Sequence, residues 1–450
     1  MEYNFNHIYF IGIGGISMSA LAEIMLEEGI KVSGSDRNNS KIIKKLQAAG
    51  VNFHLGHDSN NITDDIDLVV YTSAISDDNP ELLKAKELNL KIMDRAEFLG
   101  FVMKNYKHAI CVSGTHGKTT TTGMLSSVLI KTDLAPTIFL GGEMDSLGGN
   151  LLHGSYELLL TEACEYRRNF LKFNPTMEVI LNIEEDHLDY YEDIKDIERA
   201  FIEYAQKLPD DGYLIVNEAY SPLFDRLKSN VITFGLDKGT YHARDIRLIP
   251  EPSYTLMQGD EKIIDIRLKV FGEHNILNSL ATCAACLSLG IKPETLAEGL
   301  YDFKGTHRRY EYKGEINGAL VIDDYAHHPS EMKATLKTAR SYAEGRIITV
   351  FQPHTYTRTI KLLDGFAEAL SKSDIVILVD IYAAREKNTG AVHSKDIINK
   401  MKEYSKDAIY AESFPDAAQI VKAEAKKGDM IITMGAGNVD DIAEMLVAEQ

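Results

Sequence analysis

Twice in this chain a short β-rich run passes through glycines directly into a stretch of helical periodicity: HIYFIGIGG into SMSALAEIMLEEG, and AICVSGTHG into KTTTTGMLSSVLI. A strand that turns on glycine into a helix is the repeating unit of parallel sheets flanked by helices. Short β-rich runs go on alternating with helical segments to the C-terminus, so the fold class is α/β. At 450 residues the chain is several times one cooperative core, and two or three domains are expected. The polar KNYKH ahead of the second turn makes a linker, and after GTHRRYEYKGEINGA a further series of strands starts at ALVIDDYAHHP. Boundaries therefore fall at residues 1–104, 105–310 and 311–450.

Charge and cysteine usage narrow the partners. With 67 acidic against 48 basic side chains the net charge is -19, which argues against a surface that wraps nucleic acid but leaves room for a local phosphate site. Four cysteines, Cys111, Cys164, Cys283 and Cys286, are too few for a disulfide framework and point to a reducing compartment. Cys283 and Cys286 form a CxxC, but within the small-residue run SLATCAACLSLG they read as one packed helix face. The chain opens almost directly on a strand, without a basic leader, and has no apolar run of membrane-spanning length. A soluble, cytoplasmic protein without membrane insertion is expected.

In the first turn, Gly12, Gly14 and Gly15 allow backbone amides to approach a diphosphate at the positive end of the following helix. Asp36, ending the next strand, stands where a ribose-binding carboxylate belongs. The pattern is GxGGxS, not GxGxxG, and a nicotinamide oxidoreductase or a purely structural turn fits it nearly as well. The second turn is more specific. In GTHGKTTTT, from Gly114 to Thr122, backbone amides cradle phosphate, Lys118 neutralises its charge and Thr119 offers a hydroxyl to Mg2+. Val112 stands where the first glycine of the standard phosphate loop would be, so this is a variant loop.

Mg2+ wants hard oxygen ligands beside nucleotide phosphates. Glu165 after ELLLTEA and His187 after VILNI both fall at strand ends, the edge on which the phosphate loop opens. Asn275 and Asn278 in GEHNILNSLA suit an adenine edge, and Arg308 and Arg309 in GTHRRY suit a γ-phosphate. In the last domain Asp324 suits a ribose, while His327, His328, His354 and Arg358 suit an anionic substrate.

In order along nearly the whole chain, GIGGISMSALA, GSD, GTHGKTTTT, TEACEYRRNFL, NIEEDHLDYY, GEHNILNSLA, RRYE, DDYAHHPSE and QPHTYTRT resemble the UDP-N-acetylmuramate:L-alanine ligases of the muramate-ligase family. The resemblance implies three α/β domains: an N-terminal Rossmann-like domain for the UDP-sugar, a central P-loop ATPase-like parallel sheet for ATP, and a C-terminal Rossmann-like domain. It implies UDP rather than a nicotinamide at Gly12, Gly14, Gly15, Ile16, Ser17, Asp36 and Ser73, with His116 reaching the same substrate. For ATP it implies Gly114, Thr115, His116, Gly117, Lys118, Thr119, Thr120, Asn275, Asn278, Arg309 and Asp324. Thr119, Glu165 and His187 would hold Mg2+, Lys118, His187 and Arg309 would serve catalysis, and Tyr325, His327, His354 and Arg358 would face the amino acid. The implied reaction is ATP-dependent ligation of L-alanine to the lactyl carboxylate of UDP-N-acetylmuramate through an acyl phosphate, in peptidoglycan precursor synthesis, by a monomer or weak homo-oligomer.

Two positions depart from the family pattern: Ser17 replaces a glycine common in the family, and Cys164 to Arg168 replace an acidic run found in part of it. A ligase that attaches a preformed peptide to the same sugar acid and a non-catalytic UDP-sugar-binding regulator are the competing readings.

Overall fold

The computed structural model describes residues 3–72, 74–187, 190–249, 251–384 and 386–448, which form three sheets interleaved with helices. In the first sheet β1 (His7–Ile11), β2 (Lys31–Asp36), β3 (Asn52–Leu55), β4 (Leu68–Tyr71) and β5 (Lys91–Asp94) are all parallel, in the order β3-β2-β1-β4-β5. Every residue of β1 is buried, which is why HIYFI reads as an apolar run without alternation. The chain leaves β1 for β2 on one side and later fills β4 on the other. The crevice beyond the carboxyl end of β1 is therefore a topological switch point, where such sheets bind ligands.

The second sheet has ten strands: β6 (His108–Ser113), β7 (Thr137–Met144), β8 (Gly149–Leu152), β9 (Leu158–Glu162), β10 (Met177–Ile180), β11 (Tyr213–Asn217), β12 (Asn230–Gly235), β13 (Tyr241–Arg247), β14 (Ser253–Gln258) and β15 (Glu261–Arg267). Its core, β12-β11-β10-β6-β9-β7, is parallel, with β6 between β10 and β9. The expectation of a parallel sheet fails at the edge, where β7 and β8 pair antiparallel. Only four residues, Asp145–Gly148, link those strands, enough for a hairpin and too few for a crossover. The third sheet, with β16 (Glu311–Ile316), β17 (Ala319–Asp324), β18 (Ile347–Phe351), β19 (Ile375–Leu378), β20 (Ile409–Tyr410) and β21 (Met430–Met434), runs β16-β17-β21-β18-β19-β20 and is antiparallel only at β16.

By compactness the chain divides into two units: Met1–Arg244 with Leu256–Ile264 and Asn278–Leu300, and Asp245–Thr255 with Asp265–Leu277 and Tyr301–Gln450. Parts of the expected 105–310 segment thus group with the C-terminal residues. Within that second unit Tyr342 donates from its hydroxyl to Leu248 O, its ring lies 4.6 Å from Phe271, and Lys337 pairs with Glu273 at 3.2 Å.

In the first unit the two sheets share a core. Phe98, Val102 and Met103 of the helix Arg95–Met103 belong to the same buried cluster as Phe170, Phe173 and Phe201. The approach is so close at Gly100 that a Cβ there would stand 2.0 Å from Lys172 O. Asn174 Nδ2 donates to Gly100 O at 3.0 Å and Lys172 pairs with Asp94, which fixes the helix from both sides. Cys283 and Cys286 are fully buried on the helix Glu273–Ser288 and form no disulfide, so the CxxC is packing. Among the described residues no helix is long and apolar enough to cross a membrane.

Candidate active site

β6 ends at Ser113 and the chain turns through Gly114, with φ 132°, and Gly117, with φ 86°, into the helix Lys118–Leu129. Both angles lie where a side chain is strained, and a Cβ on Gly114 would meet Asn182 N and O at 3.1 Å. The loop is held from β10's end. Asn182 accepts from His116 N at 2.8 Å and donates to His116 O at 3.1 Å, while its own carbonyl accepts from Thr115 N at 3.1 Å. Thr115 Oγ1 accepts from Glu184 N at 2.9 Å. The first-turn amides of the helix are thus set in a rigid cradle for an anion.

Lys118 folds back into that cradle. Its Nζ donates to Gly114 O, to Thr115 O at 3.1 Å and to Glu165 Oε2 at 3.1 Å. Burial acts to lower the lysine pKa, but Glu165, Cys164 and Glu162 outweigh it and hold the ammonium above its ordinary value. The charge is therefore constant at neutral pH. His187, in a left-handed conformation with φ 54°, brings Nε2 to 3.7 Å from Glu165 Oε1, and its ring lies 4.7 Å from that of Tyr166.

Sequence reasoning missed Glu162. It ends β9, registered beside Val112 of β6, and accepts from Thr119 Oγ1 at 3.2 Å and from Gly141 N at 2.7 Å. A hydroxyl already bonded to a carboxylate presents two hard oxygens at one point, which fits Mg2+ better than a soft metal. Among the described residues no group of three or more His, Cys, Asp or Glu forms a ready metal cage.

Asn275 and Asn278, one turn apart on the helix Glu273–Ser288, have different surroundings. Asn278 Oδ1 lies 2.7 Å from where a Gly117 Cβ would be, packed on the phosphate loop, whereas Asn275 Nδ2 donates to Phe271 O at 2.7 Å. Thr120 is half-buried in the first turn of the phosphate-loop helix.

At the first glycine turn, Gly12 has φ 82° and donates to Ser35 O at 2.8 Å, and Gly14 N donates to Asp36 Oδ2 at 3.0 Å. Asp36 also accepts from Asn38 N at 3.1 Å. The carboxylate expected to hold a ribose is here a brace for the turn. Gly15 and Ile16 are exposed, and Ile16 O accepts from Asn150 Nδ2 at 3.1 Å. Ser73 lies outside the described residues.

In the C-terminal unit the arginine pair separates. Arg308 is consumed by the fold, donating to Asp323 at 3.1 Å and to Gly437 O and Gly435 O at 2.6 and 2.8 Å. Arg309 has no ion pair among the described residues, and its guanidinium lies 4.9 Å from the Tyr325 ring centre. Asp324 is buried, accepting from Thr335 Oγ1 at 2.6 Å and Ala326 N at 3.1 Å; burial pushes its pKa up to about 6 against the opposing pull of Thr335 and Arg309. That inward engagement runs against a ribose contact.

His328, expected to face the substrate, caps the helix Pro329–Tyr342 in a capping box with Glu331. His327, His354 and Tyr382 form a ring ladder, 5.8 Å and then 5.7 Å between centres, with Arg358 Nη1 3.2 Å from His354 Nδ1. Burial holds the His327 pKa below its ordinary value.

A phosphate loop carrying a buried lysine beside a hydroxyl and two carboxylates defines a nucleoside-triphosphate-using enzyme. The family comparison makes that class specific: the description "Mur ligase family, catalytic domain" matches residues 7–107, "Mur ligase middle domain" residues 112–286, and "Mur ligase, glutamate ligase domain" residues 308–437. The chain belongs to the Mur ligase family of ATP-dependent amide-forming enzymes. It is 48% identical to a UDP-N-acetylmuramate–L-alanine ligase of Clostridium novyi, covering 99% of each chain. To the ligase of the same description in Acetivibrio thermocellus it is 49% identical, covering 99% of this chain and 96% of the other. The crystal structure of UDP-N-acetylmuramate-alanine ligase from Thermotoga maritima superposes with a TM-score of 0.83 at 31% identity, over 98% of both chains. A murein peptide ligase from Psychrobacter arcticus gives 0.72 at 25%, again over 98% of both.

Proposed function

We infer that this chain joins L-alanine to the lactyl carboxylate of UDP-N-acetylmuramate at the expense of ATP, forming an amide bond in peptidoglycan precursor synthesis. The observation that carries the reading is Lys118, charged and folded into a glycine cradle beside Thr119, Glu162 and Glu165. Near-full-length identity to ligases of that description supports the substrates.

A carboxylate is a poor electrophile, and its meeting with the γ-phosphate brings two anions together. Lys118 and the helix amides lower that cost by stabilising charge on the phosphates. Thr119, Glu162, Glu165 and His187 suit Mg2+, which when bound would neutralise part of the phosphate charge. Arg309, without an ion pair among the described residues, suits the developing charge on the transferred group. A carboxylate oxygen attacks the γ-phosphorus, the bond to ADP breaks and an acyl phosphate forms. The amine of L-alanine attacks the acyl carbon, phosphate leaves and the nitrogen loses a proton. Tyr325, His327, His354 and Arg358 are assigned to the amino acid, and cytoplasmic residence follows from the substrates.

The test is phosphate release from ATP and Mg2+ with UDP-N-acetylmuramate, with L-alanine in one series and the L-alanine-containing tripeptide in another. Release that requires L-alanine, with a product heavier by one alanyl residue, establishes the reading. Release with the tripeptide alone transfers the chain to peptide recycling.

A further inference from the structure

Arg95 opens the helix Arg95–Met103 directly after β5, at the carboxyl edge of the first sheet. Its half-buried guanidinium makes one hydrogen bond among the described residues, from Nη1 to Ser17 Oγ at 3.1 Å, and no ion pair. A guanidinium has five N–H donors, and leaving most of them without an acceptor away from water is costly. The nearest carboxylate in sequence is already committed: Asp94 Oδ1 caps the helix by accepting from Ala96 N and Glu97 N at 2.9 and 3.0 Å, and Asp94 Oδ2 pairs with Lys172.

Ser17 lies in the first turn of the helix Ile16–Glu27, whose N-cap, Gly15, is exposed. The serine hydroxyl therefore holds the unpaired guanidinium against the same helix end toward which the glycine turn directs its amides.

We propose that Arg95, held by Ser17, is the cation that receives the diphosphate of the nucleotide-sugar substrate at the first glycine turn, supplying the positive charge that this turn lacks. The proposal rests on the ligase reading and deepens it. The Ser17 hydroxyl fixes the arginine in place before ligand arrives.

The experiment is calorimetric titration of UDP alone into the full chain and its Arg95→Met, Arg95→Lys and Ser17→Gly variants, with steady-state ligation alongside. Arg95→Met is expected to weaken UDP binding about 30- to 100-fold and to raise the KM for the UDP-sugar while the KM for ATP stays put. Arg95→Lys recovers part of the loss, because the charge returns without the fork. Ser17→Gly is expected to weaken UDP binding about 3- to 5-fold, the loss of one hydrogen bond to a charged group. Unchanged UDP affinity in Arg95→Met, with a normal circular dichroism spectrum, overturns the proposal. So does an increase confined to the KM for the UDP-sugar with UDP itself bound as before, since Arg95 would then face the sugar acid. If the parent chain ligates nothing, the ligase reading falls instead, and UDP titration still judges Arg95.

Discussion

The two glycine turns both end a central strand and begin a helix, yet they are stabilised by opposite means. At Gly114–Gly117 the loop contains its own cation: Lys118 bonds to loop carbonyls and to Glu165. At Gly12–Gly15 the brace is an anion, with Asp36 accepting from Gly14 N, and the cation beside it, Arg95, comes from another element. The difference teaches that a glycine turn fixes where an anion binds, while the charge next to it determines whether chemistry follows.

The largest break in that contrast is expected from the lysine. Lys118→Met should reduce ligation by at least about 1000-fold. Removing one partner of a buried pair also costs up to about 3–5 kcal/mol, so the double variant Lys118→Met/Glu165→Gln, which leaves no lone charge, should fold and remain inactive. Activity in the folded double variant within tenfold of the parent would end the phosphate-loop assignment. Next, Glu162→Gln should cost about 100-fold in kcat and raise the Mg2+ concentration needed for half-maximal rate, read from a metal titration. An unchanged Mg2+ profile would make Glu162 a brace for Gly141 alone.

In the first turn the expected effect is steric and smaller. A Cβ on Gly14 would sit 2.9 Å from Asp36 Oδ2 and 3.1 Å from Ile43 Cδ1. Gly14→Ala should therefore raise the KM for the UDP-sugar about tenfold and leave the KM for ATP alone, at a stability cost of about 1–3 kcal/mol. Equal changes in both constants would dissolve the distinction between the turns.

The smallest effect tests a region with no glycine turn. Asp324 has a raised pKa of about 6, caused first by burial, so its contribution to stability is full below the ordinary aspartate value and is lost as pH rises through 6. Asp324→Asn should gain thermal stability relative to the parent between pH 4 and pH 7, by at most about 2–3 kcal/mol. A difference in Tm that stays flat with pH would show that the carboxyl is charged throughout.

The α/β class and both glycine turns were legible because strand, glycine and helix are contiguous there. Lys118 and Thr119 followed from their positions in the loop. Glu162 did not, because its importance depends on β9 lying beside β6, a pairing across some fifty residues that no local pattern announces. The readable signal was only that TEACE offers two glutamates where one was chosen. Asn182 escaped for the same reason. Nothing in the sequence singles out Arg95, and its lack of a carboxylate emerges only once Asp94 is seen spoken for. His328 could have been recognised from HPSE, where proline at the first helical position and glutamate two residues later announce a cap.

The close seat of Gly100 on Lys172 O bears on how the protein can be taken apart. A fragment ending at residue 104 would carry Phe98, Val102 and Met103 away from Phe170 and Phe173, uncovering apolar surface on both pieces. The first two sheets are thus separate in topology and joint in solubility. A fragment meant for binding studies on the nucleotide-sugar turn has to extend through the second sheet, and a library of random truncations should yield no soluble product that ends between them.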